Sequence, residues 1–145
     1  MASNRETARD ALTTLLQAAL VGTGKPAQAV YNYRKADFGG QSPVVTVSSG
    51  GSRRQRMTAL GGRATFFLQV DIFVLYSDLG TWTEADTEDR LDLIEAAIAG
   101  VVDANQSTTS WSALDYADRS TRFAVPLGGI EYAWESIQLS VEVYG

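Results

Sequence analysis

The chain has 145 residues, of which 45% are apolar and 20% charged; its net charge is −5, and it holds neither cysteine nor histidine. That length suits one domain, and such a domain buries roughly 68–70% of the surface its unfolded chain exposes, so a sizeable core is expected. Without cysteine there are no disulfides or thiolate metal sites, and without histidine the commonest general base and metal ligand are missing.

Residues Ser3 to Leu20 carry a helical period, with Ala8, Leu12, Leu15, Leu16, Ala19 and Leu20 on one stripe, and Ser3 with Glu6 fits a capping box. Gly22, Gly24 and Pro26 end that helix. The opening MASNRETARD lacks the apolar centre of a signal peptide, and no apolar run reaches the length of a membrane span. A soluble protein made in the cytoplasm is therefore expected. Alternation in AVYNY (29–33) and the β-branched run VVTV (44–47) predict two strands, separated by turn signals at Gly39, Gly40 and Pro43.

The stretch SSGGSRRQRMTALGGR (48–63) sets Arg53, Arg54, Arg56 and Arg63 among the glycine pairs Gly50–Gly51 and Gly61–Gly62. It reads as an exposed arm hinged at those glycines. Three roles are open to it: a charged solvent loop, a contact for nucleic acid phosphates, or a segment that orders against acidic surfaces of a neighbouring copy. The arm carries no aromatics on which bases could stack, and the chain as a whole is acidic.

ATFFLQVDIFVLY (64–76) is apolar at nearly every position and predicts a strand covered on both faces. Its single charge, Asp71, shares a face with Phe67, Gln69 and Phe73, which implies an edge position or a paired one. Thr83 can cap a second helix, whose first turns hold Glu84, Asp86, Glu88 and Asp89 near the positive end of the helix dipole. Leu91, Ile94, Ala97, Ile98, Val101 and Val102 form its buried side. After the polar ANQSTTS, residues 111–116 and 121–129 predict short strands, and Pro126 points to an edge or an end. In IEYAWESIQLSVEVY the large apolar residues sit at even positions first (Ile130, Tyr132, Trp134) and at odd positions later (Ile137, Leu139, Val141, Val143). Either a bulge lies near Glu135 and Ser136, or one half of the strand shows its aromatics to a partner. The resulting fold class is α+β in one domain: a mixed, mostly antiparallel sheet packed by two main helices, with a protruding Gly/Arg-rich arm over about 48–63.

Charge is distributed unevenly: residues 1–63 sum to +6, residues 64–118 to −10 and the remainder to −1. If folding keeps those regions on different flanks, the positive surface of one copy can meet the negative surface of the next. Catalytic signatures are lacking. VGTGKPA (21–27) fails as a phosphate loop in its spacing, in Pro26 standing where the hydroxyl belongs, and in following a helix. The acidic cluster at 84–92 enters a helix, whereas a calcium loop wraps its ligands around a sharp glycine turn. No enzymatic activity, cofactor or bound metal is expected.

The layout resembles the tail terminator, or tail completion, proteins of long-tailed bacteriophages. The resembling stretches are RETARDALTTLLQAAL, FFLQVDIFVLYSDLGTWTEADTEDRLDLIEAAIAGVV and IEYAWESIQLSVEVYG, about half of the chain. This family is recognised by architecture more than by invariant residues. The resemblance implies a virion protein that forms a ring, usually a hexamer, ending tail-tube growth and offering the surface to which the filled head joins. It further implies contacts with the tail tube protein and with a neck or head-completion protein, DNA only in passage through the lumen, and no membrane. Under that reading Arg53, Arg54, Arg56 and Arg63 serve a subunit or tube interface, with Glu84, Asp86, Glu88 and Asp89 as the complementary surface. Another ring component of the head–tail connector would share this charge logic.

Overall fold

Asn4 opens the first helix, α1 (Arg5–Leu20): its side chain accepts a hydrogen bond from the Glu6 amide, satisfying one of the donors that the first turn leaves unpaired. The cap is thus Asn4, and Ser3, expected in that role, lies outside the described residues. The computed structural model describes residues 4–35, 37–57, 61–75, 84–117, 119–127 and 130–144. After α1 come β1 (Ala29–Tyr31), β2 (Val44–Arg56), β3 (Gly62–Leu75), α2 (Glu84–Ala104), β4 (Ala113–Tyr116), β5 (Thr121–Leu127) and β6 (Ile130–Tyr144). Thr83, the expected cap of α2, falls outside the described residues.

The sheet runs β1-β2-β3-β6-β4, with β5 also paired to β6. Only β1 is parallel to its neighbour; the other pairings are antiparallel. This is the expected α+β fold in a single domain, with a mixed sheet packed by two helices. No helix among the described residues is long and apolar enough to cross a membrane.

β3 lies between β2 and β6 over Arg63 to Phe73, and the two-residue period of its side chains divides the molecule into two faces. Its even positions, Ala64 to Val74, point into the main core together with Leu12, Leu16 and Leu20 of α1 and Leu91, Ile94 and Ile98 of α2. Its odd positions face away from the helices. There Phe73 joins Phe38, Val44 and Tyr132 in a second, smaller cluster. The second face is only partly apolar, since Arg63, Thr65, Gln69 and Asp71 share it, but no side chain of β3 is exposed on either face.

Strand pairing decides two features of the sheet. β6 pairs with β3 in unbroken register from Tyr132 to Tyr144, so no bulge interrupts it near Glu135 and Ser136. Its apolar residues change face because the strand serves two cores: Ile137, Leu139, Val141 and Val143 turn toward the helices, whereas Tyr132 and Trp134 turn toward the second cluster. The register shift lies in β2 instead, between Ser49 and Gly51, and Gly51 takes φ +127°, a conformation that side-chain-bearing residues rarely adopt.

The second feature is the stretch expected to form an arm. Ser48 to Arg56 continue β2 and pair with β3 as far as Arg56 opposite Gly62, so the arginines sit on a strand and the glycines are not hinges over the described part. A Cβ on Gly62 would lie 2.5 Å from the Gln55 carbonyl oxygen, so this glycine is there for close backbone approach. Residues 58–60 of the expected arm are outside the described residues. The extended pairing is possible because β3 and β6 continue to the same level and supply a template for β2.

Ile98 is fully buried between α2 and the sheet. Replacing it with Asp should cost about 3–5 kcal/mol, the penalty of an uncompensated buried charge. Thermal melting by circular dichroism checks this, and an unchanged melting temperature would place Ile98 outside the core.

Candidate functional site

Strand alternation splits the arginine group that the sequence places together. Arg54 stands opposite Ala64 and Arg56 opposite Gly62, on the helix side; Arg53 stands opposite Thr65, and Arg63 opposite Gln55, on the other side. Arg54 lies over the Phe66 ring with its guanidinium carbon 5.3 Å from the centroid. Arg63 donates to Gln55 Oε1 at 2.9 Å and lies 3.8 Å from the Glu142 carboxylate.

What the sequence separates, α1 brings back. Its first turns run beside the β2 edge, where Arg5 donates to Ser52 Oγ at 3.1 Å and Arg9 to Ser49 Oγ at 3.1 Å. Arg9 Nε is buried there with no hydrogen-bond partner among the described residues. Arg5 and Arg54 line an open cavity of about 400 Å³ with Asn4 and Ser52. The basic surface is thus built from the helix start and the strand edge together, and Arg5 and Arg9 are members that the sequence reading did not assign to it. The signal for them was present only as the charge of the first 63 residues.

The acidic start of α2 has a partner within the chain. Glu88 accepts two hydrogen bonds from Arg122 of β5, at 2.7 and 2.8 Å, which occupies both of its carboxylate oxygens. That bonding holds the Glu88 carboxyl below the usual carboxylate range; partial burial opposes the shift, and the Arg122 charge adds to it. Asp86 is half-buried and Asp89 exposed on the same turns, while Glu84 marks the first residue of the helix.

A different acidic surface lies at the far edge of the sheet. Tyr116 of β4 is 42% exposed, and burial of its ring pushes the hydroxyl above the ordinary tyrosine range, helped by the nearby carboxylates of Asp103, Glu95 and Asp115. Glu95 and Asp103 come from α2, while Asp115 stands on β4 opposite Ser140. The outward amides of β4 are already occupied. Leu114 donates to the Gln106 carbonyl at 2.8 Å and Tyr116 to the Asp115 side chain at 2.8 Å. This edge therefore presents charge to solvent in place of a free backbone ladder.

Asp71 is fully buried at the centre of the sheet, not at an edge. It accepts from the Trp134 indole at 2.9 Å and from the Gln69 amide at 3.0 and 3.2 Å. Trp134 in turn stacks on Phe73, with centroids 5.7 Å apart and planes at 19°, and packs against Phe123 at 4.8 Å. The carboxylate thus anchors the aromatic cluster of the second face. Thr46, across from Asp71 on β2, is buried with no hydrogen-bond partner for its hydroxyl among the described residues.

A scan against protein-family models matched none, and a search of curated proteins found no similar sequence. No group of three or more acidic side chains that could hold a metal ion occurs among the described residues.

Trp134→Phe keeps the ring stack but removes the indole donor from a buried carboxylate, and should lower stability by about 1–3 kcal/mol. The urea midpoint reads this directly. Because the folded-state pKa of Glu88 is depressed, the stability it contributes is present above the unfolded carboxylate pKa and is lost as the pH falls through the folded value. Glu88→Gln should cost at most about 1 kcal/mol at pH 7, since the pair is exposed, and the difference from the parent should shrink as the pH falls below the ordinary carboxylate range in parallel urea titrations.

Proposed function

We propose that this chain is a structural virion protein of the tail-terminator type. Its copies close into a ring, usually a hexamer in that family, which caps the tail tube, ends its growth and offers the surface joined by a neck or head-completion protein. DNA passes through the lumen, and the protein performs no bond-making chemistry. One observation carries this reading: the basic and acidic surfaces lie at opposite edges of one sheet and at one level. The row Gly51, Phe67, Ser140, Asp115 crosses β2, β3, β6 and β4 in succession. With strands about 4.8 Å apart, the two edges are separated by about 14 Å. Opposite charges on opposite flanks favour head-to-tail association, in which one patch of each copy meets a different patch of the next.

The two-layer fold supports the same reading, with both helices on one face of the sheet and the two strand edges left for neighbours. The test is to add the purified protein to growing tail tubes and image their ends by electron microscopy. Elongation should stop, with one ring of density at the capped end. Tubes that lengthen unchanged in its presence would overturn the proposal.

A further inference from the structure

We infer that the cavity between the start of α1 and the β2 edge receives the acidic β4 edge of a second copy of this chain. This inference rests on the ring reading above and specifies its interface. The sequence alone pairs the arginines with the start of α2, but Glu88 there is engaged by Arg122 of its own chain. Glu95, Asp103 and Asp115 have no cation within ion-pair distance among the described residues.

The two edges match on both sides of the sheet. On the helix side, Arg5 and Arg54 line the cavity, and Glu95 and Asp103 belong to the helix that covers the opposite edge. On the other side Arg53 is exposed at one edge and Asp115 at the other. Placing a second copy in the same orientation beside the first brings acid against base on each side at once. Ser52, which already holds Arg5, and the exposed Tyr116 ring fall in the same contact. With the outward amides of β4 occupied, the contact is made by side chains and cannot extend the backbone ladder. Its strength should therefore depend on salt, because exposed charges are screened over about 8 Å at physiological ionic strength.

The experiment uses three full-length proteins and the tube-capping assay, with thermal melts to show that each variant folds. The basic-edge variant carries Arg53→Glu and Arg54→Glu. The acidic-edge variant carries Glu95→Lys, Asp103→Lys and Asp115→Lys. Each variant alone should cap tubes at least tenfold less well than the parent, because like charges meet at every junction. Mixed in equal amounts, the two should recover capping, since an alternating ring restores opposite charges at every junction. Folded variants that each cap as well as the parent would overturn the edge pairing while leaving the ring reading intact. The same holds for a mixture that stays inactive. Parent protein that never caps tubes, together with variants that sediment as larger species only when mixed, would uphold the pairing and overturn the tail-terminator reading.

Discussion

Hydrogen bonding of β3 to a strand on each side is the constraint from which the rest of the molecule follows. A strand of 14 residues, satisfied along both edges, cannot slip by one position without moving its whole apolar set to the wrong face. With the register held, the even positions of β3 supply the floor on which α1 and α2 pack, and the odd positions set the composition of the other face. On the second face Asp71 takes its donors from Gln69 and Trp134.

That second face shows how a buried carboxyl group is accommodated with no cation beside it among the described residues. Asp71 accepts from an amide and an indole, both neutral donors, and the indole ring is itself held by stacking on Phe73 and by a tilted contact with Phe123. Donor and scaffold are the same residue, Trp134. Such an arrangement couples the position of the carboxylate to the packing of the aromatic cluster, since neither can move without exposing the other to an unpaired group. It also explains why β6 carries aromatics at even positions in its first half: they belong to this face and not to the helix core.

The division of charge obeys the same two-residue period. Neighbouring arginines on β2 point to opposite sides, so each side of the edge is basic, and α1 thickens the helix side with Arg5 and Arg9. At the other edge α2 contributes acids on the helix side and β4 on the other. Opposite edges of one rigid sheet then hold opposite charges at a fixed separation. For a protein that meets copies of itself, that geometry directs approach before any close contact forms.

The elements themselves were legible in the sequence because helix and strand periods are local. Ala8, Leu12 and Leu16 declare one face of α1, Leu91, Ile94 and Ile98 one face of α2, and the apolar run of β3 its burial. The candidate site was legible only in part. Arg53, Arg54 and Arg56 were visible as a cluster, but Arg5 and Arg9 join them through contacts spanning 47 and 40 residues, and Glu88 is bonded to Arg122, 34 residues away. The same limit hid the register shift between Ser49 and Gly51, the second apolar cluster and the central place of Asp71. Local sequence determines which face of an element is apolar and how much charge a region carries. Which strands become edges, and which charges are neutralised inside the fold, depends on pairings between distant residues, and only the tertiary structure decides those.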